Sequence, residues 1–371
     1  MENISLKCDF CQQQFGYPYT QNEHRHPEYE IGGVPINLLT MRYDLTDIGP
    51  IVQGNYDIEY RKMLPYRDKI ISQNEGHTPL LKINLPDSTG NFFIKDESTN
   101  PTGSFKDRGI SQLVTEIKSL GKKKGAIPST GNAGISFVSY SNIADIEPIV
   151  FLPETTSSEK LKLVKDNATL VFDKDLIKSF EHFFEFCREN PDIYNGFPST
   201  NNTYLQGLKT TAYEIYSQLG QVPDWVFLPC GSGGNIVGCY QGFLDLLKIG
   251  LTDHLPRFVS VQCEGADPIT YGHKNKILNH VPILENPTQS KAEAIASDTC
   301  FNYFRIQNIL QLTHGTAVSV SDKEIENIQG FDNFEFSSRS VIPAVTKINH
   351  LIKSDDIVTL IGTAKNRELN L

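Results

Sequence analysis

A lysine among small polar residues is the first group in this 371-residue sequence that could do chemistry. Lys106 lies within the segment NPTGSFKDRG, residues 100–109, where a loop is predicted to enter a helix. Partial burial and positive potential near a helix start lower the pKa of a lysine, which can then act as an amine nucleophile. A solvated surface lysine is the commoner case, so position alone leaves both interpretations open.

A glycine-rich segment, GSGGN at residues 231–235, follows a predicted strand and opens a predicted helix. Glycines let backbone N–H groups converge without side-chain clash, and the helix N-terminus adds partial positive charge. It is neither a Walker A loop nor a G-x-G-x-x-G motif, because Ile236 follows it and no Lys-Ser or Lys-Thr pair does. The segment predicts a phosphate cradle, with an ordinary tight turn as the alternative.

A third polar turn, STGNAG at residues 129–134, offers hydroxyls, an amide and backbone N–H groups at a predicted helix start. Such groups suit a carboxylate or a ring oxygen, although an N-capping cluster explains them equally well. A lysine nucleophile, a phosphate cradle and a carboxylate loop are together the parts that a pyridoxal 5′-phosphate enzyme needs.

Alternating short apolar strands and helices must position these three segments. Strands are predicted at 92–94, 126–128, 148–153, 169–172, 225–229, 258–262 and 357–361. Helices are predicted at 56–64, 105–120, 157–166, 204–219 and about 236–247. This alternation predicts a mostly parallel sheet covered on both faces, with ligands beyond the carboxyl ends of the strands.

In the order and identity of its polar segments, the chain resembles the threonine synthases within the fold-type II pyridoxal-phosphate enzymes. The matching residues are 42–44, 75–80, 95–97, 100–109, 129–132, 207–210 with 213–214, 231–235 and 335–338. The similarity covers most of residues 40–365, and the segment 100–109 is its most specific part.

The resemblance implies an α/β fold with two parallel-sheet domains and the cofactor in the cleft between them. The large cofactor-binding domain would comprise residues 1–102 and 205–371, of which 1–75 form an irregular lead-in. The small domain would be residues 103–204.

The resemblance also implies roles for individual residues. Lys106 would form the Schiff base with the cofactor and Phe105 would pack beside it. Asn132 would bond the ring hydroxyl of the cofactor. The substrate carboxylate would be held by Ser129, Thr130 and Gly131, and the cofactor phosphate by Gly231, Ser232, Gly233, Gly234 and Asn235.

Two positions depart from the family pattern. The threonine that meets the pyridine nitrogen in the family is Ile361 here, and Thr363 is the replacement candidate. An arginine that binds the phosphate of the substrate in the family is Tyr204 here, which brings a hydroxyl but no charge. Binding of a phosphorylated substrate should therefore be weaker unless Lys160, Lys162 or Lys209 supplies a charge.

The implied reaction is elimination of phosphate from O-phosphohomoserine and addition of water to give threonine. The alternative is a related β- or γ-replacement or elimination enzyme that is cysteate-synthase-like or serine/threonine dehydratase-like, a choice that Tyr204 favours. A non-enzymatic binding module with the same fold is disfavoured by the intact Lys106 and glycine-rich segment.

Composition limits the partners. A net charge of -10 and a pI near 5.4 disfavour general binding to nucleic acid or anionic membranes. No apolar run has the length of a membrane span, and no basic-then-apolar secretory signal is seen at the N-terminus. Seven scattered cysteines fit a reducing cytoplasm. We expect a cytoplasmic homodimer that acts on a small amino-acid substrate.

The N-terminal cysteine pair, Cys8 and Cys11, is followed by His24 and His26. Four such ligands can bind zinc, but structural zinc sites generally show two well-spaced pairs, and H-x-H is an unusual second half. The expectation is therefore no metal, with zinc at these four residues as the weaker alternative.

Overall fold

A computed structural model describes residues 4–17, 26, 30–31, 34–36, 38–43, 45, 60, 62–66, 69–86, 88–129, 131–156 and 161–367. The strands are β1 (Ser5–Cys8), β2 (Gln14–Gly16), β3 (Glu30–Ile31), β4 (Val34–Pro35), β5 (Leu39–Arg42), β6 (Leu80–Ile83), β7 (Asn91–Asp96), β8 (Lys124–Pro128), β9 (Glu147–Pro153), β10 (Thr169–Asp173), β11 (Tyr194–Asn195), β12 (Trp225–Pro229), β13 (Arg257–Cys263), β14 (Thr316–Val320) and β15 (Ile357–Gly362).

The helices are α1 (Lys106–Ser119), α2 (Asn132–Ile143), α3 (Leu176–Glu189), α4 (Asn202–Leu208), α5 (Thr210–Leu219), α6 (Gly234–Lys248), α7 (Pro268–Lys274), α8 (Tyr303–Leu312), α9 (Asp322–Glu326), α10 (Phe336–Arg339) and α11 (Val341–Ile348). Short 3-10 helices lie at Glu97–Thr99 and Asn349–Leu351. None of the helices described here has both the length and the apolar character needed to cross a membrane.

Two sheets organise the body of the protein. The larger has the order β14-β13-β12-β15-β7-β6 and the smaller the order β10-β9-β8-β11. All pairings are parallel except that of edge strand β6 with β7. Only residues 84–90 join these two strands, which is too short for the dozen or so residues of a parallel crossover. The predicted parallel α/β architecture is confirmed apart from that edge.

The smaller sheet takes its strands from residues 124–195, and the larger from 80–96 and 225–362. The domain boundaries at 103 and 205 remain a prediction. The lead-in 1–75 is not irregular throughout, because β2, β1 and β5 form an antiparallel sheet with Leu6, Cys8 and Met41 buried beneath it. Leu6 and Cys8 alternate with half-buried neighbours, the period-2 pattern of a strand with one buried face.

Helix α1 carries Lys106 at its first position and buries one face completely. Ile110, Leu113, Val114 and Ile117 have no exposed surface, which confirms the predicted apolar stripe. This burial anchors the helix against α2 and α4 and fixes where its N-terminus lies.

The helix predicted at 204–219 is two helices, α4 and α5, that meet at Lys209. The Lys209 N–H donates to the Gln206 carbonyl, and the hydroxyl of Thr210 donates to the carbonyl of Gly207 at 2.8 Å. These short local bonds replace the regular ladder and redirect the chain. At Gly207, a β-carbon would collide with the Arg108 carbonyl, so glycine permits the close approach of α4 to α1.

Two other helix predictions fall partly outside the described residues. Of 157–166, residues 157–160 are not described, 161–162 are helical and 163–166 form turns, so the prediction is wrong for 163–166. Of 56–64, only residues 60 and 62 are described as helical. The remaining strand and helix predictions are confirmed to within about two residues.

Candidate active site

The polar segments singled out by the sequence all follow carboxyl ends of strands. The chain from β7 leads into the Lys106 segment, that from β8 into residues 129–132, that from β12 into residues 231–235, and that from β15 into Thr363. Parallel sheets place their ligands at the carboxyl ends of their strands, here those of β7, β12 and β15 in the larger sheet and β8 in the smaller.

Lys106 begins α1 with its ammonium nitrogen 4.5 Å from the centre of the Phe105 ring and 6.0 Å from that of Tyr204. Its Nζ makes no hydrogen bond or ion pair with a described residue. Burial lowers the pKa of Lys106 to about 8, although the nearby Glu335 carboxylate opposes the shift. An amine with this pKa is readily deprotonated near neutral pH, which a nucleophilic lysine requires.

Asp107 holds the loop that precedes Lys106. Its carboxylate accepts bonds from the Thr102 backbone N–H at 2.7 Å and from the Thr102 hydroxyl at 2.5 Å. The Ser136 hydroxyl of α2 donates to the same carboxylate at 2.5 Å. The loop, α1 and α2 are therefore tied together directly beside Lys106.

Behind Lys106 lies a buried ionic network of Lys95, Glu97, Arg108 and Glu214. Arg108 Nε lies 2.6 Å from Glu97 Oε2, and its Nη1 lies 2.7 Å from Glu214 Oε1. Lys95 Nζ lies 2.7 Å from Glu214 Oε2. Two cations balance two anions, so burial of the four charges is compensated. The network fixes the first turn of α1 through Arg108.

The glycine-rich loop carries an unsatisfied buried amide. Neither amide atom of Asn235 has a hydrogen-bond partner among the described residues, although both are buried. The hydroxyl of Tyr204 is likewise buried and unpartnered, and its ring lies within 3.6 Å of where a β-carbon on Gly234 would be. A buried polar group without a partner costs about 1–3 kcal/mol in stability. An ordinary tight turn does not require such a group, so its presence here needs another explanation. The residues present fit a bound polar group such as the cofactor phosphate.

Gly233 is required by backbone geometry. Its φ is +85°, and a β-carbon there would collide with the Ile306 side chain and lie 3.1 Å from Asn302 Cβ. A side chain at Gly233 therefore points into the packed wall of the loop and not into the cradle.

We expect Gly233→Ala to weaken cofactor binding at least about tenfold, because the loop and the start of α6 must shift to relieve the collision with Ile306. Gly250→Ala is the matched control, since Gly250 has φ +76° with open space around it. It shares the backbone strain without the collision, so its cofactor content should stay at the wild-type level. Absorbance titration of cofactor-free protein measures both. Equal cofactor affinity in the two variants would contradict the assigned role of the loop.

The turn at residues 129–132 is held by Ser129, whose hydroxyl accepts from the Gly131 N–H at 3.3 Å and the Gly134 N–H at 3.0 Å. A β-carbon on Gly131 would meet nothing within 4 Å, so Gly131 faces open space. Thr130 lies outside the described residues. The turn is both a capping arrangement and an open backbone surface, and its role for the substrate carboxylate stays a prediction.

Asn132 opens α2 and links two charged groups. Its Nδ2 donates to Glu335 Oε2 at 3.0 Å, and its Oδ1 accepts from Arg367 Nη2 at 3.3 Å. Neither Glu335 nor Arg367 is among the functional residues predicted from the sequence. Glu335 belonged to a segment that carried the family resemblance, whereas Arg367 follows the last strand with no motif to mark it.

Thr363 is buried beside the loop of Lys106. Its carbonyl accepts from the Phe105 N–H at 2.9 Å, and its hydroxyl pairs with that of Ser338 at 2.6 Å. Ile361 is fully buried in the hydrophobic cluster that includes Tyr204 and supplies no polar atom. Thr363 and Ser338 thus offer a pair of hydroxyls on this side of the site, and the contact of Thr363 with the pyridine nitrogen remains a prediction.

Three of the four candidate metal ligands come together away from this site. The ligand atoms of Cys8, Cys11 and His26 all lie within 4.8 Å of one another. Cys8 Sγ is 3.5 Å from His26 Nε2, and burial raises the pKa of the Cys8 thiol. His24 lies outside the described residues. Whether a metal binds here stays a prediction from the sequence.

Comparison with known proteins decides the family. Residues 71–329 match the model of the pyridoxal-phosphate dependent enzymes. The chain belongs to this family. Over 277 residues it is 35% identical to the threonine synthase of Methanosarcina acetivorans, spanning 72% of this chain and 67% of that protein. Over 281 residues it is 34% identical to the threonine synthase of Methanocaldococcus jannaschii, spanning 73% and 68%. The protein is a threonine-synthase-like enzyme that uses pyridoxal phosphate.

Solved structures share the fold-type II architecture. A fungal L-serine ammonia-lyase from Rhizomucor miehei matches with a TM-score of 0.67 at 18% identity, covering 78% of this chain and 94% of that one. The O-acetylserine dependent cystathionine β-synthase of Helicobacter pylori matches with a TM-score of 0.67 at 22% identity, covering 82% and 97%. At these identities the similarity establishes the fold and leaves the substrate open.

Proposed function

We propose that this enzyme eliminates phosphate from O-phosphohomoserine and adds water to give threonine. The observation that carries the proposal is Lys106, a buried amine of lowered pKa at the start of α1, which the adjacent Asp107 ties to Ser136 of α2. Relatives that are threonine synthases, at 34–35% identity, support this choice of reaction.

Pyridoxal phosphate held here supplies an electron sink for elimination at the substrate carbons. Lys106 would anchor it covalently, and the loop 231–235 would receive its phosphate, where the buried amide of Asn235 has no partner among the described residues. Asn132 would bond its ring hydroxyl, and Thr363, backed by Ser338, would meet its pyridine nitrogen.

Lys106 would also move the protons of the reaction. With the substrate bound, the Lys106 Nζ would accept a proton from the substrate Cα and return one to a neighbouring carbon. A pKa of about 8 suits both directions near neutral pH, because protonated and free amine are then both populated. The turn at 129–131 would hold the substrate carboxylate through the Ser129 hydroxyl and backbone N–H groups.

The direct test is incubation of the holoenzyme with O-phosphohomoserine. We expect equal amounts of phosphate and threonine, because elimination and water addition are coupled at one site. Phosphate is measured colorimetrically and threonine by amino-acid analysis. Phosphate release without threonine would point to simple elimination, and absence of both would refute the proposed substrate.

A dehydratase-like or replacement reaction is the second candidate, favoured by the uncharged Tyr204 at the position of the family arginine. In the same assay, ammonia release from serine or threonine in place of phosphate release would identify this alternative.

A cytoplasmic location is supported by the scattered cysteines, all seven of which are free thiols. The homodimer expected from the sequence stays a prediction.

A further inference from the structure

We propose that Arg367 binds the anionic side-chain group of the substrate and so takes over the recognition of charge that Tyr204 cannot provide. The inference rests on the proposed function, because it names the residue that would select a phosphorylated amino acid. Its chemical basis is an arginine that the fold brings into the site with only neutral partners.

The chain after β15 is held between two loops of the site. On one side the Phe105 N–H bonds the Thr363 carbonyl at 2.9 Å, and the Lys365 N–H bonds the Gly103 carbonyl at 3.0 Å. On the other side the Glu335 N–H bonds the Ala364 carbonyl at 3.0 Å. The Asn366 N–H continues this side by bonding the Asn333 carbonyl at 2.7 Å. The tail therefore enters the site as a strand between the Lys106 loop and the Glu335 loop.

Arg367 follows directly and points at the site. Its Nη2 donates to the Thr102 carbonyl at 2.5 Å and to Asn132 Oδ1 at 3.3 Å. Its Nε is buried without a hydrogen-bond partner among the described residues. No described carboxylate lies within 4 Å of its guanidinium. Thr102 and Asn132 contribute neutral oxygens only, so the charge is left without a close counter-ion.

A guanidinium in this position favours an anion. Burial lowers the pKa of Arg367, and the more distant carboxylates of Glu335 and Asp107 oppose that shift. Arginine stays charged in proteins, so the cost of its partial burial is recovered when an anion binds. Glu335 also opposes the pKa shift of Lys106 and accepts a hydrogen bond from Asn132, so its charge acts on both cations.

The other cations considered for this role are paired with carboxylates, exposed or outside the described residues, and Lys365 packs its aliphatic carbons against Gly103. Lys209, one of the lysines considered from the sequence, forms a buried ion pair with Asp245 and donates to Tyr43 at 2.8 Å. Lys162 is exposed, and Lys160 lies outside the described residues. Arg108 is paired with Glu97 and Glu214. Of the cations compared here, Arg367 is thus the one that keeps a buried donor without a partner among the described residues.

The geometry points to a second anionic group on the substrate, such as a phosphate ester. The turn at 129–131 is expected to take the α-carboxylate, which leaves Arg367 for the side chain. A guanidinium can bind phosphate through two parallel N–H···O bonds, with its unpartnered Nε and an Nη as one such pair.

The test compares an anion with an amino acid that lacks the second charge. Dissociation constants of inorganic phosphate and of L-threonine are measured on the holoenzyme, by calorimetry and by the absorbance change of the cofactor respectively. For Arg367→Gln we expect phosphate binding to weaken about 10- to 100-fold, with threonine affinity and cofactor content within about twofold of wild type. Arg367→Lys should fall between, because it keeps the charge without the paired donors. Arg257→Gln, at an exposed arginine of β13, is the matched control.

Equal weakening of phosphate and threonine, or loss of cofactor, would mean that Arg367 only fastens the tail and would overturn the proposal. Unchanged phosphate binding would overturn it as well. With O-phosphohomoserine, Arg367→Gln should raise KM by a similar factor and change kcat little. If wild type does not turn over this substrate but phosphate binding still depends on Arg367, the proposed reaction fails and the anion site stands.

Discussion

Lys106→Ala is expected to lower the rate of phosphate release from O-phosphohomoserine at least about 10³-fold, because the variant loses both the covalent anchor of the cofactor and the group that moves protons. The control is Lys124→Ala, at an exposed lysine paired with Glu147, which should keep wild-type activity. Borohydride reduction followed by peptide mapping should place the cofactor on Lys106 in the wild type. A cofactor adduct on another lysine, or substantial activity in Lys106→Ala, would refute the assignment.

The lowered pKa of Lys106 gives this experiment a pH signature. The free amine is the form that can react with the cofactor. Because the pKa of Lys106 is lowered to about 8, this form predominates only when the pH is above that value. Recombination of cofactor-free enzyme with pyridoxal phosphate should therefore accelerate as the pH rises from 6 to about 8 and then level off. A lysine of ordinary pKa would keep accelerating to beyond pH 10.

The local sequence pattern was enough to predict those helices and strands whose apolar residues are placed by burial alone. The apolar stripe of α1 and the runs that form β9, β12 and β13 are confirmed because fully buried parallel strands and an amphipathic helix leave strong periodic signals. Helix α3, which was not predicted, had an available signal. Asp175 caps it by accepting from the Lys178 N–H at 2.9 Å.

Tertiary contacts set the features that pattern missed. The close packing of α4 on α1 depends on the approach of Gly207 to the Arg108 carbonyl, which joins residues about a hundred positions apart in sequence. Arg367 reaches the site only because the chain after β15 pairs with two loops, and no local property of the residues 363–367 indicates that pairing. The roles of Lys106 and the glycine-rich loop came from motif and resemblance, whereas the counter-charge of Glu335 required the fold.

The buried ionic network behind Lys106 gives the second large expected effect, which is on stability. Glu214→Ala would leave Lys95 and Arg108, both buried, with Glu97 as their remaining carboxylate. Removing one partner of a buried ion pair costs about 3–5 kcal/mol, because a charge is left uncompensated away from water. Glu147→Ala is the control, since it removes one partner of the exposed pair with Lys124 and should cost less than about 1 kcal/mol. Urea denaturation of both variants measures the loss, and similar losses would contradict the role of the network.

The network should also make the folded state sensitive to acid, and Glu214→Gln separates this effect from packing. Burial by itself raises the pKa of Glu214, but the charges and hydrogen bonds of Arg108 and Lys95 outweigh it and hold that pKa well below its usual range. A carboxyl group whose pKa is depressed by folding stabilises the protein above its unfolded-state pKa of about 4.3, and this contribution disappears as the pH falls towards the folded value. The difference in free energy of unfolding between wild type and Glu214→Gln should therefore be constant above about pH 5 and shrink below it. Because the amide keeps the size of the side chain, a difference that persists unchanged to pH 3 would show that Glu214 acts through shape and hydrogen bonding and not through its charge.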